Sequence, residues 1–254
     1  MKFRFVGVRS ALALFALLVL LGGMAGSASA LFLWLLDWAI RAQFAHGWLL
    51  FGLPLAGLGI GWVYSRYGRP TEGGNNLILD EIHTAESSVP KRMAPLILAS
   101  TVVTHLFGGS AGREGTAVQM GGSLASALAQ WFCVDAATRR TLLIAGVAAG
   151  FGSVFGAPFA GAMFAVEVLA IGQLQLAALI PALVASLTAD HVCLAWGIRH
   201  NAYSVAPVYP VWDFGLLMKA AAAGIAFGMA GRLFAQALFL VEENSKRRIR
   251  SPLL

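Results

Sequence analysis

The apolar segments of this sequence are short, and glycine and proline residues interrupt them. Several hold fewer than the roughly 20 residues that a simple transmembrane helix needs. Such segments predict broken helices that end inside the membrane, where irregular backbone is tolerated only against protein or a water-filled cavity. This pattern is typical of transporters and not of a bundle of long, unbroken helices. The segments lie at about 11–40, 48–65, 93–108, 114–132, 141–150, 154–171, 174–197 and 214–241.

A strongly apolar composition predicts an integral protein of the lipid bilayer. Hydrophobic residues make up 58% of the 254 residues and charged residues only 12%, whereas soluble domains carry about 25% charged residues. The formal net charge of +6 does not indicate a nucleic-acid partner, because the basic residues flank apolar segments and form no patch. Cys133 and Cys193 both lie in apolar sequence and predict neither a disulfide nor a metal site.

The N-terminal segment has two interpretations. Its basic start, apolar run and small residues at Ala28–Ala30 resemble a signal peptide that is cleaved. The apolar run resumes at once at Leu31, however, and the whole segment is long enough to cross a bilayer. We therefore favour a first transmembrane helix that is retained.

The charges at the two ends of the chain predict its orientation. The sequence Gly-Met-Ala-Gly occurs at 23–26 and again at 228–231; basic residues precede the first copy and follow the second. Because positive charge marks the cytoplasmic side, we expect a multi-pass protein of the cell (inner) membrane with a cytoplasmic N-terminus. The two copies would then cross in opposite directions, as in an inverted repeat. We expect residues 1–210 to form a first transmembrane repeat and residues 211–254 the first helix of an incomplete second repeat.

The glycine-rich stretch Gly108–Gly122 is the main candidate site. A helix that starts here leaves free backbone N–H groups and about half a positive charge at its N-terminus, and glycines let an anion approach closely. Glu114 lies at this start, where its carboxylate could take the place of an anion or accept a proton and withdraw. Alternatively, Arg113 and Glu114 are exposed loop residues at the membrane surface.

Two other places carry candidate polar groups. Asn75 and Asn76 follow two glycines, and their amides can donate hydrogen bonds to an anion. Glu167 lies alone in apolar sequence, where a carboxylate could relay protons or face water at a helix end.

The acidic segment after Asn76 resembles the magnesium-binding strand of nucleotide-driven motors. No phosphate loop accompanies it, so a nucleotide site is not expected. We expect its polar residues to form a solvated helix face. They are Asp80, Glu81, His83 and Glu86.

Three motifs together resemble the CLC family of chloride channels and proton-coupled anion exchangers. They are "GREG" at Gly112–Gly115 followed by "VQMGG", "APFAGAMFAVE" at Ala157–Glu167, and "EGGNNLILDEIH", which stands where the family has its first anion-binding motif. Their order and spacing match the family, and the resemblance covers about residues 10–245.

The resemblance implies an all-α homodimer in which each complete subunit has a pore built from two inverted halves. Gly112, Arg113 and Gly115 would bind the anion through the backbone, with Asn75 in place of the motif serine and Asn76 beside it. Glu114 would be the gate and would carry protons. The family's later pore motifs belong to the second half, so we expect this chain not to transport by itself.

Three departures from the family pattern resemble its fluoride-exporting branch. The usual proline after GREG is Thr116, the serine motif is Gly-Asn-Asn, and the usual second glutamate is Val168. That branch couples fluoride to protons without the second glutamate.

The function expected from the sequence is therefore fluoride/proton antiport in a bilayer, with no cofactor and no metal. The alternative within the family is a chloride channel or a chloride/proton exchanger. An intramembrane enzyme that uses Glu114 or Glu167 as acid and base is a different class, and no Ser/His or metal arrangement supports it. A fragment that needs a partner half is the third alternative.

Overall fold

A computed structural model describes residues 8–71, 73–84, 89–168, 175–200 and 214–248, and the regular structure in these residues is helical. This confirms the all-α fold predicted from the sequence. The α-helices are α1 (Val8–Ala45), α2 (Leu53–Val63), α3 (Asn75–Thr84), α4 (Met93–Leu106), α5 (Arg113–Trp131), α6 (Ala136–Phe155), α7 (Pro158–Val168), α8 (Leu179–Ala195) and α9 (Phe214–Arg248).

The fold contains both long and short helices. Within the described residues, four helical stretches are suited by length and composition to cross a membrane: Ala11–Ala45, Gly47–Gly68, Leu176–Ala195 and Phe214–Ser245. The 10 residues of α3 reach only about 15 Å, half of the roughly 30 Å hydrocarbon layer. Helix α3 is thus short, as the sequence predicted, and too short to span the layer by itself.

The chain divides into two compact units, Met1–His200 and Asn201–Leu254. The first unit holds α1 to α8, and α9 is the described part of the second. The expected repeat boundary at residue 210 falls within 201–213, outside the described residues. The Gly-Met-Ala-Gly copies lie within α1 and α9 respectively.

Small residues bring α5 and α6 into close contact. Gly121 of α5 lies against the backbone of Gly146, and Gly150 of α6 lies against the carbonyl of Ala117. A methyl group at either glycine would overlap the facing backbone, so the two helices pack at a separation that only glycine allows. The small residues of α5 thus serve helix packing.

Helix α6 corrects one sequence expectation. Two segments, 141–150 and 154–171, were expected around a break, but α6 runs unbroken from Ala136 to Phe155. Gly150 and Gly152 lie inside the helix and face neighbouring chain segments closely. The break comes at Gly156, whose left-handed φ of 64° ends the helix and favours glycine.

Candidate anion site

Helices α3 and α5 lie side by side and run parallel. Three pairs of residues contact each other along the two helices. From one pair to the next, both residue numbers increase by three or four. The contacting pairs, from the N-terminal to the C-terminal end, are Gly74 with Gln119, Ile78 with Gly122, and Glu81 with Ser126. Parallel packing points the positive ends of both helix dipoles in the same direction, with the start of α3 level with Gln119, about 9 Å along the axis from the start of α5.

The start of α5 has no side-chain cap. Gly112, in extended conformation with φ −69° and ψ 141°, occupies the capping position, and no side chain there accepts a hydrogen bond. The first N–H groups, of Arg113 to Gly115, therefore have no acceptor within the helix. Arg113 and Glu114 are both exposed.

The carboxylate of Glu114 folds back toward this helix start. A methyl group placed on Gly112 would lie 2.8 Å from Oε2 of Glu114. The negative charge thus lies beside the N-terminus, where the helix dipole favours it.

The start of α3 is built on a tight glycine turn. Gly74 has a left-handed φ of 55°, its N–H donates to the carbonyl of Thr71 at 3.0 Å, and the Asn76 N–H donates to the carbonyl of Gly73 at 3.0 Å. A side chain at position 74 would be strained. The turn makes Asn75 the first residue of α3, and both asparagines are exposed.

Gln119 connects the two helix starts and was not among the residues chosen from the sequence. Its Nε2 lies 3.5 Å from the position of a methyl group on Gly74 and 3.8 Å from one on Gly115. The amide, a donor of two hydrogen bonds, therefore lies between α3 and α5. The sequence could have indicated this position, because Gly115 and Gln119 are four residues apart and therefore share a helix face.

Thr116, which replaces the family's usual proline, fixes the start of α5 to α4. Its hydroxyl pairs with that of Thr101 at 2.8 Å in the buried interior and also donates to the carbonyl of Gly112 at 3.3 Å. Proline has no hydroxyl and could make neither bond. The substitution thus ties the uncapped helix start to its neighbour.

Glu81 contradicts the prediction of a solvated helix face on α3. Asp80 and His83 are exposed, as expected, but Glu81 is 1% exposed; Glu86 lies outside the described residues. The burial follows from its partners: Oε2 accepts from the N–H of Val89 at 2.6 Å, and Oε1 accepts from the hydroxyl of Ser126 at 2.9 Å. A sequence pattern shows that Glu81 is charged, but it does not show that hydrogen-bond donors from distant segments will allow its burial.

Glu167 lies apart from the two helix starts. It is exposed near the end of α7, which follows the turn at Gly156 and packs back along α6, with Gly161 against Gly152. Asn75 and Glu114 belong instead to the α3–α5 pair. The structure thus places Gln119 near both Gly74 and Gly115, and leaves Glu167 on a separate helix.

No group of three or more His, Cys, Asp or Glu residues suited to a metal ion is found within the described ranges. The donors at the two helix starts are backbone and amide N–H groups. Such groups are suited to bind an anion and not a metal cation.

Known proteins share both the sequence and the fold of this chain. A family model described as voltage gated chloride channel matches residues 56–254. The "Chloride/fluoride channel protein" of Pseudomonas syringae pv. tomato is 51% identical over 236 residues, which are 92% of this chain and 52% of that protein.

Two solved structures resemble the fold. The crystal structure of a CLC-type fluoride/proton antiporter matches with a TM-score of 0.90 and 33% identity, over 98% of this chain and 63% of that one. A slow cyanobacterial Cl⁻/H⁺ antiporter matches with a TM-score of 0.75 and 25% identity, over 94% and 59% of the two chains. The chain spans about half the length of the curated relatives it matches.

Proposed function

This chain belongs to the voltage-gated chloride channel (CLC) family, and from that premise we propose that it binds fluoride for proton-coupled antiport across a membrane. The proposal is supported by the Gln119 amide, which lies near both Gly74 at the start of α3 and Gly115 in the first turn of α5. Each start contributes about half a positive charge and free N–H groups. A single small anion between them would satisfy both.

Glu114 is the gate in this mechanism. Its carboxylate already lies against the start of α5, so it and an anion compete for the same donors. When the carboxylate takes up a proton it loses its attraction to the helix dipole, and an anion replaces it. The Glu114 carboxylate then both exchanges with the anion and carries the proton. This couples anion movement to proton movement.

Amide donors favour fluoride over chloride as the substrate. Fluoride is small and holds its hydration water strongly, so a site must replace that water with several strong donors. Asn75, in place of the family's motif serine, and Gln119 both supply amide N–H groups. Asn76 and the backbone of Gly112, Arg113 and Gly115 complete the proposed anion site. A chloride channel or chloride/proton exchanger is the alternative.

The remaining features of the proposal concern the path and the assembly. Glu167, exposed near the end of α7, is a candidate for the proton path to the opposite side of the membrane. We place the protein in the cell (inner) membrane with a cytoplasmic N-terminus, as a homodimer. The family consists of channels and transporters, and the proposed activity includes no chemical catalysis.

Anion flux from proteoliposomes tests this function. The chain is reconstituted by itself and, because it spans about half of its relatives, also joined to the portion of the Pseudomonas syringae relative that it does not cover. We expect the joined protein to release fluoride faster than chloride and to move protons in the opposite direction. Chloride release that exceeds fluoride release favours the alternative, and flux equal to that of empty liposomes contradicts both.

A further inference from the structure

The C-terminal end of the α3–α5 pair is closed by one buried carboxylate. Glu81 accepts hydrogen bonds from Val89 and Ser126, and its Oε1 lies 3.5 Å from Nε of Arg139 on α6. The hydroxyl of Ser126 also accepts from Nε2 of Gln130 at 3.1 Å. Glu81 thus connects α3 to α5, to α6 and to the segment before α4.

The charges of this cluster oppose the helix dipoles on which they lie. Glu81 is in the last turn of α3, near the negative end of that helix, and Arg139 is in the first turn of α6, near the positive end. Either charge alone is unfavourable there. Because Glu81 is also almost fully buried, an unpaired charge would be costly. The two charges are therefore favourable at these positions only when Glu81 and Arg139 form their ion pair.

Helix α3 has few other means of keeping its position. It is 10 residues long, shorter than helices that are stable in isolation. Ile78 and Ile82 give it a buried apolar face, but apolar contacts define a register less sharply than directional hydrogen bonds. Asn75 lies about 9 Å from Glu81 along the helix axis, so a shift or rotation at Glu81 moves Asn75 directly.

We propose that Glu81 is a positioning residue whose bonds to Ser126 and Arg139 hold Asn75 at the anion site and thereby set the preference for fluoride. The inference rests on the proposed function. Fluoride is small and needs donors at short, well-aligned distances, since hydrogen bonds weaken with length and angle. Chloride is larger and accepts longer contacts. A displaced α3 therefore weakens fluoride transport more than chloride transport.

The test compares fluoride and chloride efflux in the joined protein that the flux experiment uses. Glu81→Gln keeps the shape of the side chain but removes its charge and turns an acceptor into a donor. We expect the ratio of fluoride to chloride efflux to fall about tenfold, the effect of losing one charge-assisted hydrogen bond. Ser126→Ala removes the bonds of this hydroxyl to Glu81 and Gln130 and leaves the ion pair, so a fall of about threefold is expected. This milder variant serves if Glu81→Gln does not fold.

A structural control separates positioning from general stability. Ser153→Ala removes a buried serine hydrogen bond, to Ser29, away from Glu81 and Arg139 and should leave the ratio unchanged. Equal reduction of both fluxes in Glu81→Gln and Ser126→Ala, or an unchanged ratio, overturns the inference while the proposed function stands. A parent protein without fluoride efflux overturns the proposed function and this inference together.

Discussion

The adjacent helices α5 and α6 begin in opposite ways. The start of α6 is closed by its own sequence, because Oδ1 of Asp135 accepts a hydrogen bond from the N–H of Thr138 at 2.7 Å. The start of α5 has glycine at the same position and no side-chain cap. Each start has a carboxylate within reach, but only that of Asp135 comes from the capping position itself.

The carboxylates at the two helix starts are held differently. The backbone N–H of Thr138 holds the pKa of Asp135 below its usual range, as expected of a carboxylate bonded at a helix N-terminus. Glu114 lies one position inside α5 and has a longer side chain, so it can approach the same kind of donors and also leave them. At α6 the carboxylate belongs to the capping residue, whereas at α5 glycine occupies that position and Glu114 lies two residues further on.

The largest expected effect is that of Glu114→Gln. The amide keeps the size of the side chain but cannot exchange a proton in this pH range, so proton movement should be lost while some anion flux remains. The measurement is simultaneous recording of fluoride and proton flux in proteoliposomes of the joined protein. Asp135→Asn makes the same chemical change at the neighbouring helix start and should retain coupling. Coupled transport that persists in Glu114→Gln would show that another group carries the proton.

The next effect in size is that of Asn75→Ala. If the amide donates to the anion, its loss should weaken fluoride transport by about 1.5–3 kcal/mol, or roughly 10- to 150-fold. Chloride transport should change less. The ratio of the two initial efflux rates is the measurement, and the exposed Asp80 of the same helix provides a control substitution, Asp80→Asn. An unaltered ratio in Asn75→Ala would remove Asn75 from the site.

The sequence predicted the helix starts better than their arrangement. Glycine at positions 74 and 112 marks local turns, and local backbone preference is readable without a fold. The buried state of Glu81 and the place of Gln119 depend on the alignment of α3 with α5. That alignment is set by the contact of Ile78 with Gly122 and by donors far apart in sequence, which no local pattern shows.

A smaller effect is expected from Gly121→Ala, which changes the separation of α5 and α6 and leaves both helix starts chemically intact. The added methyl group overlaps the backbone of Gly146, and overpacking of this kind costs about 1–3 kcal/mol. We expect a lower midpoint of thermal unfolding in detergent. Gly23→Ala in α1 is the matched control, because nothing lies within 4 Å of a methyl group there. Equal midpoints for the two variants would mean that α5 and α6 have room to separate.

The smallest effect concerns the closed helix start and depends on pH. Asp135→Ala removes the cap and should reduce the free energy of unfolding by about 0.5–2 kcal/mol near neutral pH. Because the folded-state pKa of Asp135 is lowered, its charge stabilises the fold above the unfolded pKa of about 3.9. That contribution is lost as the pH falls through the folded pKa.

The difference in stability between the parent and Asp135→Ala, measured by thermal unfolding from pH 7 downward, should therefore stay constant to about pH 5 and shrink below pH 4. Asp135→Asn keeps an oxygen acceptor without a charge, so its stability should not follow this pH dependence. A difference that grows toward low pH would show that the Thr138 bond does not depend on the charged form of Asp135, and that the two helix starts differ in geometry and not in charge.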